Sequence, residues 1–218
     1  MLHQLTGRDG EGSPRGQGGF TLIELLVTIT IFGVMLAIAI PNLTSWLLTA
    51  KARSVSEFYM DGLSMARRQA VSHNSRSRIS FTANANTGQM DWEVDICFAT
   101  AATPCSAQSG VWSTPSAPAP NDPQGAAGYT SVVRVADSLP TTDVLIATLQ
   151  PDGASEIYFT ELGWVDSTVP NHVTQLRFDP TPAYANDVPP AAVAITLGGM
   201  ATKCNPTVAA ADSRACPP

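Results

Sequence analysis

From Phe20 to Ile40 the chain is an almost continuous apolar run, and Glu24 is its one charged residue. At ~1.5 Å per helical residue, roughly 21 residues reach ~31 Å, close to the ~30 Å thickness of a bilayer's hydrocarbon core. A charge inside such a segment is costly unless something offsets it, so Glu24 reads as a functional residue awaiting a partner. From Asn42 the pattern narrows to one face. Leu43, Leu47, Ala50, Val55, Phe58, Gly62, Ala66 and Ala70 recur every three to five residues, widened by Trp46, Tyr59 and Leu63. Lys51, Arg53, Glu57, Arg67 and Arg68 fall mostly off that face, and His73-Asn74-Ser75 is the expected stop. The pattern therefore predicts one helix from Phe20 to Asn74, roughly 80 Å long, with its first part in lipid and its second part covered by a folded domain. Pro41 removes a backbone hydrogen bond and is expected to kink or loosen it.

Beyond residue 75 the period changes. Met90 to Phe98 alternates, which places Met90, Trp92, Val94, Ile96 and Phe98 on one buried face. Ile79 to Ala83 is its expected hairpin partner across Asn86-Thr87-Gly88. Further strands are expected at Tyr129 to Ala136, Val144 to Leu149, Glu156 to Glu161, Thr174 to Phe178 and Ala191 to Leu197. One long helix followed by several short strands implies an α+β protein with an antiparallel, two-sheet β head. The segments Ser113 to Gly128 and Pro180 to Pro190 are rich in Pro and Ala and read as long surface loops, with neither an internal repeat nor a second domain.

Three ordinary readings compete for the apolar run. Arg8 and Arg15, with Ala37-Ile38-Ala39, have the look of a secretory signal, but the run is too long, Glu24 interrupts it and Pro41 would follow the cut. A plain anchor would let Glu24 enjoy the positive end of the helix dipole, yet leaves the flanking Gly19 and Phe20 unexplained. Length disfavours a buried core helix. The stretch Gly19 to Leu43 instead resembles the class III signal of type IV prepilins and type II secretion pseudopilins: Gly19, Phe20, Thr21, then Glu24, an apolar helix and Pro41. That resemblance implies a leader at 1–19, cleaved between Gly19 and Phe20 by a prepilin peptidase that also N-methylates Phe20. It implies a transmembrane half at 20–41, an amphipathic half at 42–75 and an extracytoplasmic head at 76–218. The chain would then be a single-pass protein of the bacterial inner membrane with its head in the periplasm. Its partners would be other pilins or pseudopilins in a filament, together with the inner-membrane assembly platform. Glu24 would meet the new Phe20 ammonium, either of a neighbouring subunit, as in the family, or of its own chain one turn away.

A second resemblance is carried by Leu63-Ser64-Met65-Ala66-Arg67-Arg68-Gln69-Ala70. It is similar to the L-x-x-A-R-x-x-A helix end of the GspH/FimT group of minor pseudopilins and minor pilins, and it returns weakly around Ala194 to Cys204. The resemblance implies a structural subunit of a type II secretion pseudopilus or type IV pilus. Some FimT-like minor pilins instead capture DNA through a Gly-Arg-x-Arg motif. The corresponding stretch here, Gly199-Met200-Ala201-Thr202-Lys203, lacks both arginines.

Charge weighs against that alternative. The chain carries a formal charge of −6, and from Ile79 onward only Arg134, Arg177, Lys203 and Arg214 oppose many carboxylates, whereas phosphate binding needs clustered cations. Four cysteines allow three pairings, and an oxidising periplasm favours disulfides. Local closure favours Cys97 with Cys105 and Cys204 with Cys216, each loop contributing on the order of 3 kcal/mol on the chain-entropy model; a Cys97 to Cys204 link stays open. The cysteine spacings are not those of zinc sites, and no EF-hand spacing is present, so no metal or other cofactor is expected. After cleavage only His73 and His172 remain, without a nucleophile motif, so catalysis is not expected. The pairs Asp91/Glu93 and Asp152/Glu156 read as solvent-facing strand and turn residues.

Overall fold

The computed structural model describes residues 19–106, 109 and 111–217. The expected leader therefore lies outside the described residues except for Gly19. The chain divides into two compact units, one ending at Leu43 and the other comprising Thr44–Pro218. Helix α1 is assigned over Leu22–Ser72.

In the first unit, Leu22–Ile40 is long and apolar enough to cross a membrane, with a mean hydropathy of 2.5 and none of its residues buried. Thr28 and Thr30 interrupt the hydrocarbon surface, but their hydroxyls donate at 2.8 Å to the carbonyls of Leu25 and Val27. Both threonine hydroxyls of the span thus find an acceptor within the helix itself, as an apolar surrounding requires. Pro41 lies within α1, and its side chain is outside the described set.

In the second unit, the later turns of α1 bury Val55, Tyr59, Leu63, Ala66 and Ala70, each at most 1% exposed. Their spacing of three to four residues makes one face. Two antiparallel four-stranded sheets complete this α+β head. The first has the order β3-β2-β1-β5, with β1 at Arg76–Ala83, β2 at Met90–Cys97, β3 at Val132–Arg134 and β5 at Glu156–Phe159. The second has the order β4-β6-β7-β8, with β4 at Leu145–Gln150, β6 at Gln175–Pro180, β7 at Ala191–Ile195 and β8 at Ala201–Cys204. One core joins the helix to both sheets. Ile79, Phe81, Trp92 and Val94 come from the first sheet, and Leu145, Leu176, Phe178 and Val193 from the second.

Tyr59 is the point where these layers meet. Its hydroxyl donates to the Met90 carbonyl at 3.1 Å and accepts the Met90 N–H at 3.0 Å, while its ring stacks on Phe178 with centroids 5.4 Å apart. Burial raises its hydroxyl pKa well above the usual phenol range, with a smaller push from Asp91. The helix approaches β2 most closely at Gly62, where a Cβ would stand 2.9 Å from the Trp92 indole. Trp92 Nε1 in turn donates to the Phe58 carbonyl at 3.1 Å.

Asn74 ends the helix with a positive φ of 45°. The Ser75 N–H reaches the Ala70 carbonyl at 3.0 Å and the Asn74 N–H the Val71 carbonyl at 3.2 Å, which is the Schellman arrangement with asparagine in place of glycine.

Several expectations need correction. β1 begins at Arg76 rather than Ile79, β3 is shorter than Tyr129 to Ala136, and β8 falls where no strand is expected. The second face of β2 is not solvated either. Asp95 and Cys97 are buried there, beneath a small cluster of Cys105, Val111, Trp112 and Tyr158. The segment after β2 folds back to make this cover: the Ser113 N–H donates to the Ile96 carbonyl at 2.9 Å, and the Ile96 N–H donates to Ser113 Oγ at 3.0 Å. Part of the expected surface loop is therefore inside, including Ala119 and Asp122. Disulfides join Cys97 to Cys105 and Cys204 to Cys216.

Gly62→Ala tests the close approach. In an exposed helix this change gains up to about 1 kcal/mol; here overpacking against a rigid indole outweighs it, and we expect a net loss of about 1–2 kcal/mol. Urea unfolding of the full chain in detergent reads the sign directly, and a stabilised variant would refute the contact.

Candidate functional site

The chain's most specific sequence feature begins at the first described residue. Gly19 and Phe20 lie ahead of α1, Gly19 has no atom within 4 Å of the place a Cβ would take, and Phe20 is 85% exposed. Thr21 starts the helix. Its Oγ1 accepts the Glu24 N–H at 3.2 Å, and its carbonyl accepts the Leu25 N–H at 3.1 Å. Thr-x-x-Glu is the sequence of a capping box, and the threonine half of that box is formed. Glu24 thus occupies the first turn, exposed, where the unpaired N–H groups of the helix end favour a carboxylate. Capping gives Thr21 a physical role that the apolar pattern alone does not reveal.

At the other end of α1, the residues of the L-x-x-A-R-x-x-A stretch separate by task. Leu63, Ala66 and Ala70 are buried against the sheets. Arg67 is half-buried, and its Nε donates to the Gly163 carbonyl at 3.1 Å, across 96 residues of sequence. The stretch Gly199 to Lys203 enters β8, and Lys203 is ion-paired with Glu57. Every basic residue after Arg68 is similarly committed: Arg76 to Asp166 at 2.7 Å, Arg78 to Asp95 at 2.6 Å, Arg134 to Asp61 at 2.9 Å, Arg177 to Asp179 at 2.7 Å and Arg214 to Asp212 at 2.8 Å.

The most heavily charged cluster surrounds Arg78 on the covered face of the first sheet. Its guanidinium contacts Asp95 through Nε and Nη2, reaches Glu156 at 3.4 Å, and lies 4.7 Å from the centre of the Trp112 ring. Burial lowers the pKa of Arg78, but Asp95 and Glu156 more than offset this and hold it above the ordinary arginine value. The Tyr158 hydroxyl donates to Glu156, and burial together with that carboxylate pushes its pKa up to about 12. Glu93 neighbours Asp95, and burial followed by the Asp95 charge raises its pKa. Asp95 Oδ1 is buried without a hydrogen-bond partner among the described residues.

This cluster ties the first sheet to its cover. Of the acid pairs read as solvent-facing, Asp91 is instead tied to the Ala136 N–H at 2.6 Å and to Asn84 at 2.8 Å, and Glu156 to Arg78 and Tyr158. His73 sits edge-on to Tyr129, and His172 Nδ1 is 2.9 Å from the Val169 carbonyl. Among the described residues no group of three or more His, Cys, Asp or Glu is arranged to hold a metal ion.

The family model for the prokaryotic N-terminal methylation motif matches residues 14–40. This match supports a type IV prepilin-like protein. It spans the Gly19-Phe20 boundary, the Thr21 cap, Glu24 and the apolar run, and it stops short of the head. No curated protein and no solved structure matches the chain.

Burial of Glu93 beside the Asp95 charge predicts a pH dependence. Its pKa in the folded state is raised above the unfolded value of about 4.3. Its contribution to stability is therefore fully present below that value and is lost as pH rises through the raised one. Glu93→Gln keeps the size and polarity of the side chain and removes the titration. Relative to the unmodified chain, the variant should gain stability between pH 4 and pH 7.5 in urea unfolding. A difference that stays constant across that range would contradict the assignment.

Proposed function

We propose that this chain is a minor pseudopilin or minor pilin of the GspH/FimT type, a structural subunit built into a type II secretion pseudopilus or type IV pilus. The observation that carries the reading is the methylation-motif match over residues 14–40, together with the capped helix start that presents Glu24 one turn from Phe20. Cleavage between Gly19 and Phe20 frees an ammonium at Phe20, which prepilin peptidase methylates. The span Leu22–Ile40 holds the subunit in the bacterial inner membrane with its head in the periplasm, where the two disulfides form.

Glu24 and the Phe20 ammonium of a neighbouring subunit then pair in the membrane or filament core. Each charge alone would be costly in hydrocarbon, and the pair offsets both costs, so correct register is favoured over random packing. Thr21 contributes by satisfying the Glu24 backbone N–H, leaving the carboxylate for the intersubunit contact. Loosening of the helix at Pro41 helps the span leave the bilayer during assembly. The head supports the structural reading over DNA capture, since each cation after Arg68 already has a carboxylate partner. Met200 and Thr202 stand where a Gly-Arg-x-Arg motif would place arginines.

The test combines processing with assembly. Intact mass of the chain recovered from membranes should correspond to residues 20–218 bearing one added methyl group. Glu24→Ala should be cleaved and inserted normally but be lost from sheared filaments or cross-linked pseudopili. Normal incorporation of Glu24→Ala would reject the charge pair. A mature chain that retains residues 1–19 would reject the prepilin reading altogether.

A further inference from the structure

Two loops of the head have the same construction. In Thr160-Glu161-Leu162-Gly163-Trp164 the Thr160 N–H donates to the Trp164 carbonyl and the Gly163 N–H to the Thr160 carbonyl, both at 2.8 Å. In Thr196-Leu197-Gly198-Gly199-Met200 the equivalent bonds run from Thr196 to Met200 at 3.0 Å and from Gly199 to Thr196 at 2.8 Å. In each loop the threonine Oγ1 accepts the N–H of the fifth residue, and a glycine with φ near +75° takes the fourth place. One loop follows β5 of the first sheet, and the other joins β7 to β8 of the second.

The loops are pressed together. A Cβ on Gly199 would lie 2.1 Å from the Gly163 carbonyl oxygen, and the Val165 N–H donates to the Leu197 carbonyl at 2.9 Å. Arg67 and Val71 of α1 back the same junction, since a Cβ on Gly163 would meet Val71 at 2.9 Å and Arg67 at 3.1 Å. Around this junction Leu162, Trp164, Leu197, Met200 and Val71 are 65%, 59%, 68%, 53% and 52% exposed. Arg67 spends only Nε on Gly163. It is the one half-buried lysine or arginine among the described residues without a carboxylate partner. Glu161, the one acid within the paired loops, lines a separate recess with Asn74, Arg76 and Phe98.

We infer that the paired loops form a docking surface for a partner protein, which presents a carboxylate to Arg67 and apolar side chains to Trp164, Leu162, Leu197 and Met200. Exposed tryptophan and methionine around an arginine is the composition of an interface centre rather than of a free surface. The unpaired guanidinium specifies the partner's charge, because a fork of two remaining N–H₂ groups matches a carboxylate. Loops clamped by hydrogen bonds and glycine packing present this surface with little ordering cost on binding.

The probe is a fluorescent peptide of about nine residues with a central Glu among Leu, Phe and Val, compared with its Gln twin. Both are titrated against the full chain in nanodiscs of zwitterionic lipid. The Glu peptide should bind about tenfold more tightly than its twin at low salt. Trp164→Ala should weaken both peptides, and Arg67→Gln should erase the discrimination. Because Arg67 also braces Gly163, Met200→Glu provides a second arm on an exposed side chain of the same loop pair: it adds a carboxylate to the docking surface and should reject the Glu peptide selectively. Equal or absent binding of the two peptides, or indifference to Met200→Glu, overturns the inference. So does saturable binding of a single-stranded oligonucleotide, or of vesicles containing anionic phosphatidylglycerol, in place of the peptide. Failure here leaves the processing and assembly tests of the N-terminal site unaffected.

Discussion

Burial of one face of α1 between two sheets is the constraint on which the head depends. The two sheets share the main core: Trp92 and Phe81 of one, and Phe178 and Leu176 of the other, are buried in a single cluster with Tyr59 and Leu63. Large side chains buried in this way contribute about 1.5–3 kcal/mol each, so the helix face and the sheets stabilise one another or not at all. Tyr59 adds direction to that packing. Its hydroxyl can satisfy both the N–H and the carbonyl of Met90 only if helix and strand are in one register.

The same helix shows how pattern width selects environment. Over Leu22–Ile40 the apolar residues occupy every face and none is buried, a pattern that fits a hydrocarbon surrounding. After Thr44 the stripe narrows to the width that two sheets can cover, and polar residues fill the remainder. Thr21, Thr28 and Thr30 belong to the first regime and escape its penalty because each hydroxyl finds a backbone partner within one turn.

Electrostatics in the head follow a different logic. Its cations after Arg68 are fewer than its acids and each is held by a carboxylate, so the negative surplus is what faces outward. Arg78 is the most enclosed case, spanning Asp95 and Glu156 under the Trp112 ring, and it lets the outer face of a β-strand carry charge beneath a loop. Arg67 departs from this rule. It donates to a backbone carbonyl where the two loops meet, and exposed apolar side chains of those loops flank the junction.

The N-terminal motif, the helix and its stop at Asn74, the hairpin of β1 and β2 and the α+β class were legible in the chain, because each depends on local spacing: an unbroken apolar run, a 3.6-residue period, an alternation of two. Other features depend on residues brought together from far apart. β8 was missed because Ala201-Thr202-Lys203-Cys204 has no strand alternation and becomes a strand by pairing with β7. The cover over Asp95 was missed because the Pro- and Ala-rich segment that supplies it looks like a surface loop until Ser113 bonds Ile96. Gly163 and Gly199 are ordinary turn glycines in the sequence, and 36 residues apart. Only the tertiary structure sets one against the other and places Arg67 beside both, since a contact across two sheets leaves no period in the chain.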